Sequence, residues 1–422
     1  MRMEQQQEEQ AQMAPPAAYN SKWTTCGRKL LHDDKAFFVR GVNYAPTPIG
    51  HPPRLDLLND TRIFTRDLAN LRAMHANAVK TYDFYSEVNH TAFLDAAFNG
   101  GDRPIFTIFS IWIDEELMKP HVPISDHTFQ QVIKSYYEMA RLTGGHPESG
   151  SAQKIITTTL MDDSSRSIRY GAEYNTDVDM WGANIYQADY EGTVIPKFMG
   201  VPGGKPLLVS EYGFPYANDK REGNETELRV VAQALVNQTI AMQRNYNLAD
   251  ALQEQIVVGG FVFEYSDEWW KAGNADMHDL GGVKSADFPL GYWSEEYFGL
   301  YGAIRSNASS DDNSSSGSSD KESVDTLYAR PTVKLLTELW ATSKLNDEGV
   351  DYTYCNQTAN EILAKHDVEV YGPHGIGLFG SLLIALGVGV LGLIGYTYYR
   401  AKMRRARYQS ISSRKLLASP LQ

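Results

Sequence analysis

One carboxylate closes a short apolar run in Pro206-Leu-Leu-Val-Ser-Glu-Tyr-Gly-Phe214. Leu207, Leu208 and Val209 predict a buried parallel strand, Glu211 ends it, and Gly213 marks the turn beyond. In a (β/α)₈ barrel a carboxylate at the C-terminal end of a strand points into the active-site mouth. In any other setting the same residue is a cap or an ion-pair partner. Two further segments favour the mouth. Asp179-Met-Trp-Gly-Ala-Asn-Ile-Tyr-Gln187 lies about one βα unit upstream, and Gly259-Gly-Phe-Val-Phe-Glu-Tyr-Ser-Asp-Glu-Trp-Trp270 lies one unit and a long helix downstream. Each finishes in polar and aromatic residues. Sugars offer C–H faces that pack on Trp and Tyr, and hydroxyls that pair with Asn, Asp and Glu. The 25 Tyr and 7 Trp fit such a site.

The elements that must position these groups follow a βα rhythm. Arg40-Gly-Val-Asn-Tyr44, Asn77-Ala-Val-Lys-Thr-Tyr82 and Pro104-Ile-Phe-Thr-Ile-Phe-Ser110 read as strands one to three, and the three segments above as strands six to eight. On these motifs the chain resembles a retaining glycoside hydrolase of the large (β/α)₈ clan. It is most similar to the family 72 β-1,3-glucanosyltransferases, with a family 2- or 5-like enzyme as the near alternative. The resemblance covers roughly residues 36 to 345. Its specific part is Ser-Glu-Tyr-Gly followed by Gly-Gly-Phe-Val-Phe-Glu-Tyr-Ser. It implies that Glu211 is the nucleophile and that Tyr186 hydrogen-bonds it. Tyr82, Asn184, Glu264, Trp269 and Trp270 are then the substrate-binding set.

Retaining chemistry needs a second carboxyl group about 5–5.5 Å from the first. The family supplies it as Asn-Glu at the end of strand four, and no such dipeptide stands between strands three and six. Asp126–Arg141 has the pattern of an amphipathic helix, Thr143–Pro147 stops it, and Lys154–Leu160 is β-rich. Only six residues separate Pro147 from Lys154, whereas a strand, a helix and two turns need about 25 or more. The barrel is therefore expected to lack one βα unit, through a natural short form or a skipped segment of the gene. Glu148 is the single acid in the joint and a weak acid/base candidate. Lys80 stands where the clan carries an arginine, and a lysine lacks the planar bidentate grip of a guanidinium.

Gly375–Tyr396 is a 22-residue run without a charge, long enough to cross a bilayer as one helix. Seven basic residues and no acid follow it, which predicts a cytosolic tail and an outside location for residues 1–374 at the plasma membrane. Gly377, Ser381, Ala385 and Gly389 share one helix face, the pattern of a helix-mediated homodimer. Seven sequons (Asn59, Asn89, Asn224, Asn237, Asn307, Asn313 and Asn356) all precede the span, as in a glycosylated ectodomain. Cys26 and Cys355 are the two cysteines; they flank the barrel and either join its ends or stand as free thiols. Met1–Asn20 is Gln/Glu-rich without an apolar run, unlike a signal peptide, and reads as a disordered lead over residues 1–25.

The formal charge is −13, and the basic tail leaves −20 on the residues before it, which disfavours nucleic acid as a partner. No metal or phosphate-loop motif occurs, so no cofactor is expected. The expected organisation is a barrel over 26–344, a Ser-rich loop at 306–323 inside the last βα unit, a stalk over 345–374, the span over 375–396 and the tail over 397–422. Tyr328–Trp340 carries Pro331 near a helix start and an apolar face fit to close the barrel. Three functions fit: a membrane-anchored glycosidase or glucanosyltransferase acting on wall β-glucan, an inactive glycan-binding surface protein, and a structural ectodomain.

Overall fold

A computed structural model describes residues 22–53, 55–110, 178–199, 205–247, 256–306 and 324–345, with a few residues between 130 and 157. Strands β1 (Trp23–Cys26), β2 (Lys29–His32) and β3 (Lys35–Ala36) form a small antiparallel sheet. Then come β4 (Val39–Asn43), α1 (Thr61–Ala73), β5 (Ala78–Lys80), α2 (Thr91–Phe98) and β6 (Phe106–Ile108). After residue 178 follow β7 (Trp181–Asn184), α3 (Ile195–Met199), β8 (Leu207–Tyr212), α4 (Glu225–Tyr246) and β9 (Val257–Val262). Two short hairpins, β10 (Val283–Lys284) with β11 (Tyr292–Trp293) and β12 (Tyr301–Ile304) with β13 (Thr326–Ala329), precede the last helix, α5 (Pro331–Thr342).

Six strands make one parallel sheet in the order β6-β5-β4-β9-β8-β7. The first strand of the βα series thus pairs with the last, as when a barrel closes on itself, and the described sheet is a contiguous half-barrel arc. Thr157, inside the β-rich run 154–160, makes a parallel bridge to Met180 beside β7. Among the described residues nothing else joins β6 to β7 on the open side. The strands read as near-continuous apolar runs because both faces are covered: all six positions of β8 and of β9 are buried.

Alternation within β8 sets the direction of the carboxylate. Tyr212 reaches Thr239 on α4 with its hydroxyl at 3.0 Å, so it faces the helices, and Glu211 one residue earlier faces the opposite way. Gly213 follows because a Cβ there would strike the Phe263 carbonyl oxygen. Helix α4 starts on a capping box, with the Asn224 side chain accepting from the Thr226 and Glu227 amides and Glu227 answering to the Asn224 amide. Helix α5 begins on Pro331, buries Leu336 and Trp340, and accepts the Arg40 guanidinium at the Trp340 carbonyl. The expected closing helix is therefore present, and it anchors to the first strand of the arc.

Residues 307–323 of the serine-rich loop lie outside the described residues, between the two strands of the β12–β13 hairpin. So do Glu148, Cys355, the stalk from residue 346, the run 375–396 and the basic tail. Among the described residues no helix is long and apolar enough to cross a membrane. Gln130, Gln131, Val132, Lys134, Ser135 and Met139 are helical, within the segment expected to form an amphipathic helix.

Candidate active site

Parallel pairing puts the polar residues that end the strands at one edge. Asn43 of β4 is in register with Lys80 of β5, and Asn184 of β7 with Glu211 of β8. The Glu211 carboxylate accepts from the Tyr82 hydroxyl on Oε1 and from the Tyr186 hydroxyl on Oε2, each at 2.7 Å. The Lys80 ammonium lies 3.2 Å from Oε1 and donates at 3.3 Å to Asn43 Oδ1. Asn43 in turn holds the Ser210 and Phe261 carbonyls with its amide nitrogen, both at 3.3 Å. This chain fixes the carboxylate from both sides and from below.

Burial, with Glu211 beside them, pushes both the Tyr82 and Tyr186 phenols well above their usual value. Each therefore stays a donor to Glu211 at any working pH. Burial lowers the Lys80 ammonium and the Glu211 charge opposes that fall. Asn184 lies under the mouth, where its Oδ1 accepts the Ser210 hydroxyl at 2.7 Å.

The segment after β9 supplies two more buried carboxyl groups. Burial drives Glu264 well above the ordinary carboxyl range, with Glu268 adding to the shift, and neither of its side-chain oxygens has a hydrogen-bond partner. Burial pushes Glu268 up to about 7, with the Glu211 and Asp83 charges adding and Lys271, at 3.2 Å, opposing. Both groups thus sit within the field of Glu211. The half-buried Trp269 stacks on His278 at 4.5 Å between ring centres, and Lys271 lies 4.9 Å from the centre of the Trp270 ring. The indole N–H groups of Trp269 and Trp270 are buried and have no hydrogen-bond partner among the described residues.

A pH prediction follows from Glu268. Its folded value lies above the ordinary 4.5, so the folded state holds a proton that the unfolded chain releases. The stability from this group is present in acid and is lost as pH rises from 4.5 through about 7. Glu268→Gln removes that loss. Relative to the variant, the natural chain should lose about 2–3 kcal/mol between pH 4.5 and 8, measured by denaturant unfolding across that range. Parallel stability curves for the two proteins would refute the assignment.

Of the residues expected from sequence, Glu211, Tyr82 and Tyr186 meet in one hydrogen-bonded group, Asn184 lies just beneath it, and Glu264 shares its field. Sequence reasoning did not single out Asn43 or Glu268 as parts of the site. The signal for Asn43 was there, a lone amide at the end of the first apolar run. Cys26 is disulfide-bonded; Cys355 lies outside the described residues. Asn59, Asn89, Asn224 and Asn237 are exposed, and Asn307, Asn313 and Asn356 lie outside the described residues. Asn224 caps α4 through its oxygen, which leaves its amide nitrogen out of the cap.

No family model matches the chain. The curated 1,3-beta-glucanosyltransferase gas5 of Schizosaccharomyces pombe is 26% identical over 295 residues, 57% of this chain and 54% of that protein. The chain thus spans about half the length of this relative. Among solved structures, a mutant of Saccharomyces cerevisiae Gas2p in complex with laminaritetraose and laminaripentaose aligns over 78% of this chain and 68% of its own, at 14% identity and a TM-score of 0.49. A GH2 beta-galacturonidase from Eisenbergiella tayi bound to galacturonate covers 77% of this chain and 55% of its own, at 15% identity and a TM-score of 0.46. The chain is similar to the β-1,3-glucanosyltransferases of glycoside hydrolase family 72, the resemblance implied by its strand-end motifs.

Proposed function

We propose that this protein is a retaining glycosidase or β-1,3-glucanosyltransferase acting on β-glucan, with Glu211 as nucleophile. The observation that carries the reading is a carboxylate at the C-terminal end of a parallel strand, held by two tyrosine hydroxyls and a lysine. Attack by Glu211 at the anomeric carbon forms a glycosyl-enzyme ester, and a sugar hydroxyl or water then displaces it. Loss of the two phenol hydrogen bonds' rigid aim would let the carboxylate rotate off the attack line. The leaving oxygen needs a proton. Glu268, buried within the field of Glu211 and titrating at about 7, suits a group that must first give and later take a proton.

The proposal is tested by titrating laminari-oligosaccharides against the full chain. Trp270→Ala should weaken binding about tenfold, through aromatic area lost from the ligand face. Unchanged affinity would remove the tryptophans from the site. A second reading, a glycan-binding protein without turnover, is favoured by the six residues that separate Pro147 from Lys154, where the family's acid/base glutamate is expected. It predicts the same binding but no release of aryl alcohol from aryl β-glucosides, whose leaving groups need little acid.

We infer further that residues 375–396 anchor the protein in the plasma membrane with the barrel outside and the C-terminus in the cytosol. The charge-free run, the basic residues after it and four exposed sequon asparagines support this placement. Resistance to alkaline extraction together with a mobility shift on deglycosylation is the expected result. A chain that extracts freely and shows no shift would sink the placement.

A further inference from the structure

We propose that a cavity at the N-terminal edge of the parallel sheet binds the phosphate group of a phosphate monoester, gripped by Arg40, Arg72 and Arg103. The cavity measures about 560 Å³ and lies at the opposite end of the strands from Glu211. Its wall is built from the starts of strands: Arg40 in β4, Asn77 just before β5, and Pro104 and Phe106 at the entry to β6. Because the strands are parallel, their starts gather at one edge and their ends, with Asn43, Lys80 and Glu211, at the other.

The charge of this wall runs against that of the whole chain. The protein carries a formal −13, yet among the described residues no aspartate or glutamate lines the cavity, while three guanidiniums do. Arg40 gives one nitrogen to the Trp340 carbonyl at 3.1 Å, and Arg72 gives one to the Ala96 and Ala97 carbonyls at the end of α2. Those bonds fix both planes. The Nε of Arg40 and the Nε of Arg72 are buried and have no hydrogen-bond partner. A buried cationic donor without an acceptor is costly, and a phosphate oxygen is the acceptor that a fixed guanidinium fork fits best.

Arg103 adds the third charge. Burial, then repulsion from Arg103, lowers the Arg72 guanidinium, and Asp102 offsets only part of that. A dianion placed between the two relieves the repulsion. Inorganic phosphate would fill a small part of the volume. Phe37, Phe106 and Leu345 give the remainder an apolar wall, against which the carbon body of an ester packs.

The test is a calorimetric titration of the full chain with glucose 6-phosphate, inorganic phosphate and glucose, each at ionic strength matched with sodium chloride. Saturable binding of the ester, with none of glucose, is expected. If the ester binds about tenfold or more tightly than inorganic phosphate, the apolar wall contributes; equal affinities show that phosphate alone is recognised, and both outcomes support the site. Arg103 is exposed, so Arg103→Glu leaves the fold intact and should weaken phosphate binding about tenfold or more. Arg72→Gln should do the same, and the Arg103 variant carries the test if that protein does not fold. Laminari-oligosaccharide binding by Arg103→Glu should be unchanged, so failure here is distinct from failure of the glycosidase reading. Absence of saturable phosphate binding above the chloride control, or full affinity in Arg103→Glu, overturns the proposal.

Discussion

Glu211→Gln is expected to lower turnover of aryl β-glucosides by on the order of 10³-fold or more, because glutamine keeps the shape of the side chain and cannot form the glycosyl ester. Affinity for laminari-oligosaccharides should change little. The amide still accepts one phenol hydrogen bond, and the aromatic segment after β9, proposed to meet the ligand, is untouched. A fluorosugar with a good leaving group should label the natural protein at Glu211, and mass spectrometry of the digested adduct would locate it. Labelling at Glu264 or Glu268 would move the nucleophile to another strand. Turnover by the glutamine variant within tenfold of the natural protein would end the nucleophile assignment altogether. If neither protein turns over or labels while both bind saccharide, the glycan-binding reading takes its place.

Arg330→Leu should cost about 3–5 kcal/mol of folding stability, since it leaves a buried carboxylate without its partner. Arg330 forms a two-pronged pair with Asp267, both contacts 2.7 Å, and both side chains are almost wholly buried. Its Nε also reaches Glu222 at 2.7 Å, and the Gly299 amide donates to the same aspartate at 2.9 Å. Asp267 belongs to the loop that carries Glu264, Glu268 and the two tryptophans, whereas Arg330 caps the start of α5. The pair therefore clamps the loop after β9 to the closing helix. A melting temperature lower by roughly 10 °C is expected for a domain of this size. Adding Asp267→Asn should restore part of the loss, because the neutral amide no longer needs a counter-charge. A double variant no more stable than Arg330→Leu would show that packing of the arginine, not charge pairing, holds the loop.

Much of the arc could be read from the order of residues alone. Leu207–Val209 and Val257–Val262 are uninterrupted apolar runs, and a strand covered on both faces has no other pattern available to it. Glu211 stood out because a carboxylate at the end of such a run must either meet a partner or line a mouth. Pro331 and the apolar face behind it predicted the last helix for equally local reasons. The shortness of the interval between Pro147 and Lys154, six residues, was a matter of counting. None of these readings needs to know which strand lies beside which.

What the tertiary structure alone decided is which distant groups meet. Lys80 and Glu211 are separated by 131 positions, and Asp267 and Arg330 by 63; no periodicity links them, since each pairing follows from the order in which strands join the sheet. The same holds for Asn43, which reads as an ordinary amide until β4 is placed between β5 and β9. Glu264 and Glu268 are two more acids in the sequence, and only their burial near Glu211 lifts both carboxyl groups above the ordinary range. Arg40, Arg72 and Arg103 likewise come from three separate elements, and they share one cavity because parallel strands all begin at the same edge. Local sequence determines the character of each strand and helix, through side-chain periodicity and end chemistry. The fields and hydrogen bonds that make a site depend on topology, which sets the distances between residues far apart in the chain.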